Sequence, residues 1–431
     1  MRKIFILILF CTGEAIAQQP LSLQDAINIS LKNSLDIKLA RNNVEANTLL
    51  NNYGVAGGLP VVTGAASDNE QSPSINQVYS DPTRNTKKNN AASNSLNANI
   101  TAGILLYNGM HVIATKNRLA ELQLQSETAL NAQIQNDIAM VMTGYYDIIR
   151  QESYLGTIDT SIEAAREKLS IVKTQQQVGM ANNADLFQAE VDLNNLLQTR
   201  ESQLLIIDQD KTDFLSLLNL KTDSSLDIRD TILVDKKLVL DDILNSLKNN
   251  PDITAADQEI RINELIVKET AASRYPSLRV STGYTYGRTK NAAGFSLLNE
   301  SYGPFAGLSL SVPIFNGTAS KRAEQVAQIN TRNAEIQKQT LVKDYTAQVI
   351  KMYQAYENNI RQLETARENY SLSEQLLRLV LNRFSLRQAT LVDVKQAQQS
   401  FEDASYSLVN LSFAAKSAEI ELKRLANSLG F

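Results

Sequence analysis

Apolar residues along this chain follow two rhythms. The first has a period of three to four. From about Val112 to Gln177 the apolar positions include Leu119, Leu122, Leu130, Ile134, Ile138, Val141, Tyr145, Ile148 and Ile149, with Gln, Asn, Glu and Lys on the remaining faces. This spacing predicts one amphipathic helix, which at 1.5 Å per residue would reach roughly 100 Å. The rhythm returns at Tyr345, Val349, Tyr353, Tyr356, Ile360 and Leu363. Such helices are too polar for lipid and too long for one compact domain. The second rhythm has a period of two. Leu96, Ala98, Ile100, Ala102, Ile104 and Leu106 alternate with Ser95, Asn97, Asn99, Thr101 and Gly103. Leu278, Val280, Tyr284 and Tyr286 alternate with Arg279, Ser281, Gly283 and Thr285, and Leu308, Leu310 and Val312 with Ser309 and Ser311. Val61 to Ala66 forms a shorter fourth segment. Strands of this length, apolar on one face and polar on the other, fit the wall of a wet transmembrane barrel or a sheet packed on a soluble core.

Proline separates the two regimes. The eight prolines stand at 20, 60, 73, 82, 251, 276, 304 and 313, leaving 83–250 and 314–431 free of them. Proline costs about 3 kcal/mol inside a helix, so these stretches are permitted to be helical.

The pattern is written twice. Leu31-Lys32-Asn33-Ser34-Leu35-Asp36-Ile37 returns as Leu247-Lys248-Asn249-Asn250-Pro251-Asp252-Ile253, at 247 − 31 = 216. Tyr107-Asn108-Gly109 returns as Phe315-Asn316-Gly317 at 315 − 107 = 208, an offset that also pairs Asp185 with Asp393. Two repeats follow. The first covers 18–222, with strands at about 59–66 and 95–107, an outer loop 67–94, and long helices at about 112–178 and 184–220. A linker occupies 223–236. The second covers 237–431, with strands at about 277–287 and 303–315, an outer loop 288–302, and long helices at about 317–385 and 390–427. Residues 67–94, rich in Asn, Ser, Asp and Lys, read as a long wet loop.

The first residues add a compartment. Arg2 and Lys3, the apolar run Ile4–Phe10 and the small-x-small triplet Ala15-Ile16-Ala17 read as a signal peptide, 1–17. The one cysteine, Cys11, lies inside it, after a Phe10 that is bulky for a lipidation site; beyond it no disulfide or thiolate site can form. With 42 Lys+Arg against 46 Asp+Glu, the net charge of −4 offers no basic surface for nucleic acid. A lone His111 makes no metal cluster, and no glycine-rich phosphate loop, G-x-S-x-G or H-E-x-x-H occurs, which argues against an enzyme. Four strands cannot close a barrel, and an open edge in lipid strands backbone groups at several kcal/mol each. Two copies would supply eight strands and three would supply twelve.

Several marks occur in a fixed order: the duplication, Tyr275-Pro276-x-Leu278 entering a strand, Pro313-Ile314-Phe315-Asn316-Gly317 leaving one, and Val178-Gly179-Met180 followed by Asp185. In these the chain resembles the TolC-like outer-membrane efflux proteins, the outer membrane factors, over essentially all of 18–431. The resemblance implies a mainly α fold with a transmembrane β portion: duplicated helical hairpins forming a periplasmic α-barrel, and four strands per protomer contributing to a homotrimeric 12-stranded β-barrel. It implies an exit duct of a tripartite efflux or type I secretion system, lodged in outer-membrane lipid and extending into the periplasm. A periplasmic adaptor (membrane fusion) protein and an inner-membrane pump would be its partners, without nucleic acid, cofactor or catalysis. Adaptor-docking turns would fall at Val178, Gly179 and Met180 and at Leu386, Arg387 and Gln388, and a periplasmic gate at Asp185 and Asp393. The second turn departs from the family: Arg387 replaces the expected glycine, which implies a different or less bent turn. Gln396 occupies another acidic position and Ala389 that of a gating arginine. Read without the resemblance, Asp185 and Asp393 are helix N-caps or first-turn carboxylates. The competing function is a coiled-coil structural or adhesive surface protein with a β anchor.

Overall fold

The computed structural model describes residues 21–430; the expected leader 1–17, with Cys11, lies outside the described residues. The elements run α1 (Leu23–Asn33), α2 (Leu35–Leu50), β1 (Val61–Gln71), β2 (Ile75–Gln77), β3 (Thr86–Lys88), β4 (Ser93–Asn108), α3 (His111–Gln177), α4 (Asn183–Leu217), α5 (Leu240–Ser246), α6 (Pro251–Ala272), β5 (Ser277–Asn291), β6 (Leu298–Ser311), α7 (Ala319–Ser385) and α8 (Leu391–Leu425). The duplication is metrical. Helices α3 and α7 each have 67 residues and α4 and α8 each have 35. Their starts differ by 319 − 111 = 208 and 391 − 183 = 208, whereas β1 and β5 start 277 − 61 = 216 apart. The eight residues of difference therefore lie between the start of each repeat's first strand and the start of its long helix. The turn into the long helix is copied too: Gly109 and Met110 both have positive φ, as do Gly317 and Thr318.

The chain divides into two compact units. One comprises 40–130 and 252–342 and carries the sheet. Its four strands pair antiparallel in the order β1-β4-β5-β6, so strands from the two repeats meet at the centre and β1 and β6 form the edges. Registers Val62↔Ala102↔Thr282↔Ala306 and Gly64↔Ile100↔Tyr284↔Pro304 put the apolar alternation of all four strands on one face. Pro304 lies in an edge strand, where its missing N–H interrupts no interior ladder. At mid-face the Thr282 hydroxyl donates to Phe305 O at 2.9 Å and so needs no water. The face ends at the row Tyr286–Tyr302; the next row holds Arg288 and Glu300, paired at 3.2 Å, and Asp68. From Leu278 to Tyr286 is about 27 Å of strand, or roughly 21 Å of height at a 40° tilt, close to the ~25 Å apolar band of an outer-membrane barrel. Gly283 is required here: a Cβ would stand 2.1 Å from Ile100 O.

Strand limits differ from the sequence pattern. β1 continues to Gln71 through Ser67, Asp68, Asn69 and Glu70, which alternation assigns to a loop, because each pairs with β4. The rest of 67–94 is not structureless, since β2 and β3 form a small hairpin around a 3-10 turn at Pro82–Arg84. Expected loop 288–302 shrinks to 292–297, and β6 stops at Ser311 instead of reaching 315. Ala292 N donates to Ala92 O at 2.8 Å and Lys88 Nζ to Ala292 O at 3.1 Å, so the two outer loops touch.

The other unit comprises 21–39, 131–251 and 343–430 of the described residues. Its larger core packs Ile138, Val141, Tyr145 and Ile148 of α3 with Phe214 and Leu218 from α4 and its end, Ile27 of α1 and Ile420 of α8. Tyr145 buries its ring yet donates to Leu21 O and lies 3.2 Å from Asp230 Oδ2; burial first, then Asp230, push its phenol upward. The segment between α4 and α5 is extended but tied down. Asp235 N donates at 2.9 Å to Glu419, whose buried carboxylate also accepts from Lys416 at 3.0 Å and Lys423 at 2.8 Å.

Candidate functional site

Each long hairpin turns between its 67- and 35-residue helices, and the sequence dictates how. At the end of α3, Met180 N donates to Gln175 O at 2.7 Å and Gly179 N to Gln176 O at 2.9 Å, with Gly179 at φ +75°. This is a Schellman-type stop. At the end of α7, Gln388 N donates to Arg383 O at 2.7 Å and Arg387 N to Phe384 O at 3.1 Å, with Arg387 at φ +62°. The less bent turn expected at Arg387 is therefore absent. The same six-residue closure forms, and Arg387 takes up the left-handed backbone that a glycine would adopt freely. Val178, Met180 and Leu386 are all exposed beside these turns.

Neither aspartate is itself an N-cap. Asn182 caps α4 by accepting from Asp185 N at 2.8 Å, and Asp185 occupies the first turn. Thr390 caps α8, and Asp393 closes a capping box: its carboxylate accepts from Thr390 N at 2.7 Å and from the Thr390 hydroxyl at 2.8 Å. The backbone N–H of Thr390, then its hydroxyl, hold the Asp393 carboxyl below the usual range. Both turns rest on one apolar cluster: Val172, Ala189, Leu377, Phe384, Val394 and Phe401 are buried, with Ala181, Leu186, Ala389 and Leu391 of the turns packed against them. The two predicted turns thus belong to one end of this unit.

Beneath them lies a group that the sequence reading did not single out. Lys168 of α3 is wholly buried, and its Nζ donates to Asp192 Oδ2 of α4 at 2.7 Å. Gln188 donates to the other oxygen at 2.8 Å, and Lys395 of α8 stands 3.8 Å away. Burial raises the Asp192 pKa, but the bonds from Lys168 and Gln188 and the two ammonium charges outweigh it, and the net shift is downward. A signal did exist. Ala164, Lys168 and Val172 share one helical stripe, so a cation in register with buried positions required a partner.

Among the described residues no His/Cys/Asp/Glu group could hold a metal ion, and no helix is long and apolar enough to cross a membrane. The surface suited to lipid is the apolar face of the sheet. The outer membrane efflux protein model matches this chain twice, over residues 26–219 and 243–428, the two repeats in turn. The chain belongs to that family. As an outer membrane efflux protein it is a duct of the outer membrane that extends into the periplasm, and homologues in the family act as trimeric channels in tripartite efflux systems. The toxin and drug export protein A of Aggregatibacter actinomycetemcomitans is 22% identical over 394 residues, 88% of this chain and 84% of that protein. An uncharacterized Haemophilus influenzae protein is 22% identical over 288 residues; the match covers 65% of this chain and spans 62% of that protein's length. The fold is that of solved relatives. CusC superposes with a TM-score of 0.77 at 15% identity, covering 96% of this chain and 95% of that one. VceC of Vibrio cholerae superposes at 0.76 and 16%, covering 94% and 96%.

Proposed function

We propose that three copies of this efflux protein close one 12-stranded barrel. Substrates passed on by an inner-membrane pump and a periplasmic adaptor would leave through it without chemical change. One observation carries the reading: a four-stranded sheet with a continuous apolar face is open at both edges, β1 and β6. In hydrocarbon those edges leave backbone groups unpaired at several kcal/mol each, so another copy must pair with them. The two repeats, 18–222 and 237–431 joined through 223–236, each contribute one strand pair and one helical hairpin. Val178, Gly179 and Met180, with Leu386, Arg387 and Gln388, form the adaptor-docking turns. Their exposed apolar residues at the ends of rigid hairpins support this. Asp185 and Asp393 line the periplasmic entrance, in addition to their places in the first turns of α4 and α8.

The test is intermolecular cross-linking. Single cysteines at Thr63 in β1 and Ser301 in β6, introduced together, should give a ladder that ends at three copies. A ladder ending at two would mean eight strands. Absence of intermolecular products would sink edge-to-edge closure by copies of this chain.

A further inference from the structure

We infer that Arg279 forms a cationic collar inside the barrel and makes its inner end a weak site for anions. The inference rests on the three-copy barrel proposed above.

The face of the sheet opposite the apolar one is the face that would line the lumen. It is built from Ser, Thr, Asn, Gln and Gly with a few apolar residues such as Val61, Leu105 and Phe305. Across β1, β4, β5 and β6, Arg279 is the single ionisable side chain on it. The other charges of these strands, Asp68, Glu70, Arg288, Lys290 and Glu300, stand on the apolar face beyond its tyrosine row. Arg279 is in the third position of β5, opposite Leu105 and Ser309, at the end where the sheet joins α6, α3 and α7. It lies in a central strand, so subunit closure at β1 and β6 does not cover it. It is exposed. Gly103 leaves room beside it, since a Cβ there would be 3.6 Å from Arg279 Nη1.

Among the described residues no carboxylate forms an ion pair with Arg279. Glu269, near the end of α6, is paired with Arg118 at 2.8 Å, and Glu324, at the start of α7, with Arg274 at 2.5 Å. Glu300 lies on the other face about nine residues along, roughly 30 Å of strand away. A guanidinium on the lipid side would lose water; in a wet lumen it keeps its water and its field.

Geometry sets the strength. Twelve strands about 4.8 Å apart and tilted about 40° give a circumference of ~75 Å and a radius of ~12 Å. That is too wide for a gate. The Debye length is about 8 Å at 0.15 M salt and about 30 Å at 0.01 M. The fields of three guanidinium groups therefore reach the axis and add there, weakly at physiological salt and strongly in dilute salt. Carboxylate- or phosphate-bearing solutes would dwell at this level.

The test is reversal potential in planar bilayers under a KCl gradient, for wild type, Arg279→Gln and Arg279→Lys, at low and at 1 M salt, with inorganic triphosphate as the anionic probe. Arg279→Gln should lower the chloride-to-potassium permeability ratio by about twofold or more in dilute salt. The difference should vanish at 1 M, where the Debye length is about 3 Å. Arg279→Lys should behave as wild type. Triphosphate should reduce the wild-type current more than that of Arg279→Gln. Equal permeability ratios in conducting wild type and Arg279→Gln at low salt would overturn the collar and leave the duct intact. A wild-type protein that forms no conducting pore would overturn both.

Discussion

Replacing Lys168 with Met tests whether the buried ion pair holds the first hairpin together below its turn. Methionine keeps the length and volume of the side chain and removes only the charge and the bond to Asp192. The Lys168 side chain is 1% exposed and that of Asp192 13%. Removing one partner of a buried pair costs about 3–5 kcal/mol, because the survivor is left charged in a poor solvent. Two groups reduce this. Gln188 keeps its 2.8 Å bond, and Lys395 remains 3.8 Å from Asp192. Lys395 is 61% exposed, so its pairing contributes no more than about 1 kcal/mol. The expected loss for Lys168→Met is thus about 2–4 kcal/mol. Asp192→Leu should cost a similar amount by stranding Lys168. The double variant should cost much less than the sum, with a coupling of about 3 kcal/mol. Thermal melts followed by circular dichroism on the detergent-solubilised protein measure all four forms. The pH dependence has a definite sign. Asp192 titrates below its ordinary value of 3.8, so the pair's contribution is complete above pH 3.8 and is lost as pH falls through the lower folded value. The gap between wild type and Lys168→Met should therefore narrow below pH 3.8. Additive single effects, or a gap that ignores pH, would refute the reasoning.

Arg387→Gly should raise the melting midpoint by the equivalent of about 1 kcal/mol, since it relieves a left-handed non-glycine residue; a lowered midpoint would show that the Arg387 side chain contributes more than its backbone costs. Thr390→Ala should cost about 1 kcal/mol through loss of the α8 cap, with hydrogen exchange accelerating first at Leu391 to Val394; unchanged protection there would contradict the cap. Gly283→Ala should abolish heat-resistant oligomer on gels, because its Cβ would collide with Ile100 O at 2.1 Å; normal oligomer would mean that β4 and β5 can shift register. Thr282→Lys places a charge at the middle of the apolar face and should cost about 2–4 kcal/mol, read as lost membrane insertion, whereas Thr282→Val should insert normally.

Much of this protein was legible along the chain because its signals are local and repeated. Period-two alternation marked β4, β5 and β6, period 3.6 marked α3 and α7, and proline placement divided them. Alternation failed at β1 beyond Ala66 and at β6 before Gly303. There Asp68, Asn69 and Glu70, and Asn299, Glu300 and Ser301, extend past the apolar band and are held by ladder bonds to polar neighbours, which a hydrophobic pattern does not register. The hairpin turn at Arg387 departs from what its residue type predicts for a related reason. Residue type predicts the cost of a left-handed backbone, but the closure bonds and the shared core beneath both turns decide whether that cost is accepted.

The sequence by itself determined the duplication and the two kinds of element, since each follows from spacing; closure by other copies, as proposed above, rests on unpaired backbone in lipid. Only the tertiary structure decided which strands neighbour one another. With β4 against β5, all the charge of the four-stranded sheet but one lies on its apolar face beyond the tyrosine row, and Arg279 is left alone on the face that would line the lumen. It also decided that Lys168, Asp192 and Lys395, drawn from three helices, form one group. These are facts of pairing across 24 to more than 200 residues of chain, and no local periodicity carries them.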